Sequence, residues 1–302
     1  MARAADSQTS GPRLLLTRCS NTKGCNLYTR FHGVTRRLHI NSFVLQDDAQ
    51  EATLGVGPGG HQVAAYDRCA YQLHNCGLYI YDFSTRVERR LPVSSHRGAF
   101  MFPTVSGDRV AYGYNRQGRD GPSKSFGIYW SYLDGTRMHR LHTEPLDVLR
   151  TPPQLALSAI HLAYSGASHL TSCLDQTHVR VIDLTTGHDR LVATGTNRTD
   201  VFSPAWNGNV LYYARDDFTV ANYRHDLVRR GIIRSRVERY SVVNGRTEAS
   251  RWTSLAVATV EPDGQHMLYQ LLTRHGARDG AYSVGTVAFH RITAHRRLAP
   301  VH

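Results

Sequence analysis

Apolar and polar residues alternate in short runs, and one such run recurs along the chain. A turn followed by an alternating stretch reads SGPRLLLTR (10–18), GGHQVAAYD (59–67), SGDRVAYGY (106–114), LSAIHLAYS (157–165), NGNVLYYAR (207–215) and DGQHMLYQL (263–271). Each is followed by a strand, a tight turn and another strand, as in LYIYDFSTRVERRLPV (78–93) and VRVIDLTTGHDRLVAT (179–194). Five copies are preceded by one more apolar segment, such as MFPTV (101–105) or VFSPAW (201–206). Period-2 alternation with β-branched and aromatic residues at the apolar positions predicts strands. Each copy therefore reads as four short antiparallel strands, a to d. Only Thr219 to Ile233 carries a pattern that fits a short helix.

Six copies at a spacing of about 50 residues specify an all-β, six-bladed β-propeller, four strands per blade, in a single domain over residues 1–302. The first copy lacks an evident strand a. A β-sandwich needs no such period. Strand a is expected to line a central channel, because it is rich in small residues: Gly55, Gly57, Thr104, Ala156, Ala205, Ala256 and Ala258. Strand d is the outer edge. Arg36, Arg37, Arg89, Arg90, Arg137, Arg140, Arg190, Arg246, Arg251, Arg296 and Arg297 fall on or beside it, where charge deters edge-to-edge pairing.

The 302 residues carry 36 Lys plus Arg against 24 Asp plus Glu, a net charge of +12. Only Lys23 and Lys124 are lysines. The basic residues are dispersed, not gathered in a stripe or tail, which argues against specific nucleic-acid binding. No run approaches the roughly 18 apolar residues of a membrane span.

Cys19 and Cys25 bracket a polar turn, and Cys69 and Cys76 bracket a similar one in the next copy. Facing residues of an antiparallel hairpin lie within disulfide range, so two bridges are expected, worth about 2.4 kcal/mol each in the loop-entropy model. Paired staples of this kind point to a secreted or periplasmic, cell-envelope location. Cys173 is left over. Met1-Ala-Arg-Ala has no apolar leader region, although Ala2-Arg3-Ala4 resembles the small-x-small end of one.

At Pro204-Ala205-Trp206-Asn207-Gly208-Asn209, and in weaker form at Glu261-Pro262-Asp263-Gly264 and Pro103-Thr104-Val105-Ser106-Gly107-Asp108, the chain resembles the TolB-like (WD40-like) propeller repeat family. That resemblance covers nearly the whole chain. It implies a propeller of the kind found as partner-binding modules in the bacterial envelope and as lids on prolyl peptidases.

No nucleophile elbow, zinc-protease helix, P-loop or EF-hand loop is present. Gly55-Val56-Gly57-Pro58-Gly59-Gly60 leads into a strand, so it reads as a turn and not as a phosphate loop. His61, His161 and His266 open strand b in three copies, but equivalent positions in a ring lie far apart. No metal or cofactor is expected.

The segments between strands b and c vary in length: 19–25, 67–77, 114–126, 166–177, 215–236 and 272–284. Long, varied loops on one face of a rigid scaffold are where binding usually sits. The candidate binding residues are therefore Arg116, Arg119, Arg215, Asp216, Asp217, Tyr223, Arg224, Arg274 and His275, with Lys124 beside them. The first functional expectation is a non-catalytic module that recognises a protein or an anionic cell-envelope glycan on this face. The alternative is a propeller enzyme, a hydrolase or lyase, with a site at the channel mouth. Asp67, Asp216 and Asp217 are its candidate acids.

Overall fold

The structure, a computed structural model, describes residues 9–10, 13–20, 24–31, 34–38, 52–70, 74–94, 98–118, 121–122, 125–145, 154–169, 175–223, 226–260, 266–273, 276–288 and 291–297. It is all-β apart from one 3₁₀ turn, Pro58–Gly60, among the described residues. Among them no helix is long and apolar enough to cross a membrane. The chain divides into two compact units, Met1–Ile160 and His161–His302.

Unit 1 opens with the meander β1 (Thr9–Ser10), β2 (Arg13–Ser20), β3 (Gly24–Phe31) and β4 (Val34–Arg37). Next come β5 (Thr53–Val56), β6 (Gln62–Ala70), β7 (His74–Asp82) and β8 (Val87–Ser94). The following run is β9 (Gly98–Ser106), β10 (Arg109–Gly118), β11 (Gly121–Pro122), β12 (Ser125–Tyr132) and β13 (His139–Pro145). These two runs merge into one sheet because β5 and β9 pair in parallel at Val56 and Ser106. A Cβ added to Gly55 would sit 2.4 Å from the carbonyl oxygen of Val105, so only glycine permits this approach. The short strand β14 (Leu155–Leu157) ends the unit and is buried throughout.

Unit 2 holds β15 (His161–His169), β16 (Asp175–Asp183) and β17 (Asp189–Thr194) in one sheet. A second contains β18 (Thr199–Asn207), β19 (Val210–Tyr223), β20 (Asp226–Ser241) and β21 (Thr247–Ala249). A third contains β22 (Leu255–Val260), β23 (His266–Thr273), β24 (Gly276–Ala288) and β25 (Arg291–Arg297).

One register repeats. Tyr66, Tyr112, Tyr164 and Tyr213 occupy the same place in their strands and are, among the described residues, the four largest fully buried side chains. Tyr112 and Tyr213 each face a bulge. The ladder skips Phe102-Pro103 in β9 and Ser203-Pro204 in β18, because proline has no N–H to contribute. Phe102 and Ser203 take φ of 46° and 53° to make the detour. The turns after β7, β12, β16 and β20 repeat too. Asp82, Asp134, Asp183 and Asn244 each accept a hydrogen bond from the backbone N–H two residues on. This local clasp is the reason Asp and Asn favour turns.

The segments read as variable loops are mostly strand. β19 and β20 continue the pairing through Thr219 opposite Gly231 to Tyr223 opposite Asp226, so the described residues of the stretch from Thr219 to Ile233 are strand and not helix. β10, β15 and β24 also extend into stretches expected to be loops. Pairing each strand with its neighbour satisfies backbone groups that a loop leaves to water.

Candidate active site

Of the sequence-predicted residues of unit 2, Arg215, Asp216 and Asp217 have described side chains, and each is held by neighbours within its own sheet or beside it. Arg215 lies on β19 and grips Glu238 of β20 with Nε and Nη2, at 2.8 and 3.2 Å. Its Nη1 donates to the carbonyl of Thr194 and to Thr199 Oγ1. Glu238 also accepts from Arg236 Nε at 2.8 Å. Burial pushes the Glu238 carboxyl up, but Arg215 and Arg236 outweigh that and hold it below the usual range. Asp217 pairs with Arg234 at 2.8 Å. Arg234 and Arg236 lie 4.6 and 4.5 Å from the Trp252 ring centre.

Asp216 is different. It is buried, accepts a short hydrogen bond from Ser235 Oγ, and has Asp200 nearby. Desolvation pushes its carboxyl up to about 7; the Ser235 hydroxyl opposes the shift and the Asp200 charge adds to it. Of the other expected residues, only the backbone of Arg116 and Tyr223 is described, on β10 and β19. Arg119, Lys124, Arg224, Arg274, His275 and Cys173 lie outside the described residues. Asp67 is buried in unit 1. The backbone register sets Cys19 directly opposite Cys25, whereas Cys69 falls in a register shift between Arg68 and Ala70.

A concave site that sequence reasoning did not assemble lies elsewhere in unit 2. A cavity of about 490 Å³ is lined by His161, Asp183, His188, Arg190 and Tyr240, with Val181, Thr186 and Val242. β15 supplies His161 at its first residue, and β16 supplies Asp183 at its last, directly opposite. Asp183 accepts from the backbone N–H groups of Thr185 and Thr186 and from the Thr185 hydroxyl. The Thr185 hydroxyl and N–H lead in holding its carboxyl down, to about 2, so it is ionised. His161 stacks on Trp206 with ring centres 5.5 Å apart. Burial lowers its pKa, the Asp183 charge opposes this, and Arg190 adds to it. Arg190 of β17 donates from Nη1 to the hydroxyl of Tyr240, on β20, at 2.8 Å.

The arrangement holds a neutral imidazole with a carboxylate beside it, together with a phenol bonded to a guanidinium. It can accept a proton, donate one and hold an anion. Among the described residues no three His, Cys, Asp or Glu side chains are grouped as metal ligands. The sequence signals were present separately, as His161 opening a strand and Arg190 on an edge. What joins them to Tyr240 is a contact across 50 residues.

Neither a protein-family model nor a curated protein sequence matches the chain. Solved structures do. An oligogalacturonate lyase from Vibrio parahaemolyticus matches with a TM-score of 0.59 at 10% identity, over 98% of this chain and 78% of that one. The β-propeller domain of the Trilobed protease from Pyrococcus furiosus matches with a TM-score of 0.55 at 9% identity, over 98% and 83%. The Pyrococcus horikoshii acylaminoacyl peptidase matches with a TM-score of 0.58 at 8% identity, over 98% of this chain and 46% of that one. The fold is that of a β-propeller.

Proposed function

We propose that the protein is a propeller enzyme acting on an acidic saccharide in the His161–Tyr240 cavity. The six-fold pattern supports reading residues 1–302 as one propeller of six TolB-like blades. Solved structures of like fold include a lyase and a peptidase, which supports catalysis over a pure binding module. The observation that carries the reading is Arg190 bonded to the Tyr240 hydroxyl at 2.8 Å, in the same cavity as the half-buried His161.

The chemistry these groups fit is β-elimination from a uronate. Arg190 binds the substrate carboxylate and so acidifies the adjacent carbon. Neutral His161 takes the proton from that carbon, and Asp183 stabilises the imidazolium that forms. The C–O bond to the leaving sugar breaks as the C=C bond forms, and Tyr240 protonates the departing oxygen. The similarity to a lyase named for oligogalacturonate supports the acidic sugar as substrate class. Export to the cell envelope, with bridges Cys19–Cys25 and Cys69–Cys76, accompanies this reading.

The test is incubation of the protein with oligogalacturonate and with other oligouronates, followed by ultraviolet absorbance of the unsaturated product. Product formation that His161→Gln and Tyr240→Phe abolish supports the proposal. No product from any oligouronate, or full activity in both variants, overturns it.

A further inference from the structure

Unit 1 contains a larger cavity, of about 800 Å³, whose charged lining among the described residues is Arg13, Arg36, Arg37 and Arg86. Its walls include Phe31 and Phe83. Arg13 opens β2, and its guanidinium lies between these two rings, 4.4 Å from the centre of Phe31 and 4.1 Å from that of Phe83. Nε donates to Gln62 Oε1 at 3.0 Å and Nη1 to Thr29 Oγ1 at 3.3 Å. Both acceptors are neutral. A guanidinium has five N–H groups, and among the described residues these two bonds are the hydrogen bonds Arg13 makes.

The contrast with other partly buried arginines is the informative point. Arg68 faces Glu88 at 2.9 Å, Arg180 faces Asp189 at 3.0 Å, and Arg215 faces Glu238 at 2.8 Å. Among the described residues, Arg13, Arg36, Arg37 and Arg86 have no carboxylate partner, and the cavity lining holds no acid. A cation taken partly out of water without a counter-ion is costly, and burial indeed lowers the Arg13 pKa. Two aromatic faces and two neutral acceptors fix its orientation. The result is a cation already oriented for an anion.

We propose that this cavity binds an oligoanion, a ligand bearing two or more phosphate or carboxylate groups. Four guanidiniums around a space of this size exceed what one carboxylate neutralises. Arg36 and Arg37 are exposed on β4 and line the cavity as well as the strand edge. Arg89 and Arg90 serve that edge purpose on β8 without lining the cavity, which makes them the natural control. The site lies in unit 1 and does not depend on the catalytic reading of unit 2.

The experiment is titration calorimetry of the whole chain at low salt with inorganic tripolyphosphate and, separately, with tricarballylate, a tricarboxylate outside the substrate class proposed for unit 2. Saturable one-site binding of at least one probe is expected, and the tighter of the two identifies phosphate or carboxylate as the recognised group. The double variant R36Q/R37Q should weaken it about tenfold or more, whereas R89Q/R90Q, with the same change in net charge, should alter it less than about twofold. Absence of saturable binding overturns the proposal. So does equal weakening by both double variants, which reports only net charge, or binding that R36Q/R37Q leaves intact. Turnover of oligouronate by R36Q/R37Q is read in parallel, so that the failure of either site is recognised separately.

Discussion

Ser235 donates its hydroxyl hydrogen to Asp216 across the β19–β20 ladder, where the carboxyl has almost no access to water. A carboxyl raised to about 7 favours its protonated form in the folded state. Its contribution to stability is therefore complete below the unfolded value near 3.8 and is lost as pH rises through 7. Over that window the loss is on the order of 4 kcal/mol. Asp216→Asn removes the titration. Urea unfolding at pH 5 and pH 8 should show a smaller pH difference for the variant, with the gain at pH 8.

Gly55→Ala places a methyl group against the Val105 carbonyl oxygen, a backbone atom that cannot swing aside. The expected cost is roughly 1–3 kcal/mol. Chemical denaturation of the variant measures it. Gly107→Ala is a useful comparison: φ is +62° there, and nothing lies near the added carbon, so its cost is backbone strain alone.

His161 must be neutral to accept a proton, and its lowered pKa keeps it so at neutral pH. The acid limb of kcat/KM should therefore fall below the ordinary histidine value of about 6.5. His161→Gln should lower kcat about 10²–10⁴-fold. Tyr240→Phe keeps the buried ring, loses the hydrogen bond from Arg190 and should cost about 1 kcal/mol of stability. A far larger fall in kcat than in stability separates a proton donor from a packing residue.

Cys19 and Cys25 are paired residue to residue on β2 and β3. Alkylation under denaturing conditions, followed by intact mass measurement, should find both protected until a reductant is added. Cys173 should react in either case.

The meanders were legible because each strand keeps its alternation and each turn carries its own chemistry, as at Ser106-Gly107-Asp108 and Asp183-Leu184-Thr185. The β19–β20 ribbon was not. Register shifts at Asp217–Phe218 and at Thr219–Val220 break the two-residue period and leave spacings that imitate a helix. The candidate site was legible only in pieces. Arg190 and Arg36 look like ordinary edge charges, and nothing local reveals that one meets Tyr240 or that the other rims a cavity with Arg13. Arg215 shows the opposite case. Its place in a segment read as a variable loop suggests a residue facing a partner, yet it lies on β19 and bonds Glu238, more than 20 residues away in sequence, together with Thr194 and Thr199.

The aspartate and asparagine clasps at Asp82, Asp134, Asp183 and Asn244 close within two residues of themselves. Their formation waits for no distant partner. During synthesis each of these turns can close as soon as it clears the ribosome, before the rest of the polypeptide exists. The two strands it joins then start within reach of each other, which shortens the time an unpaired edge is open to capture by another chain.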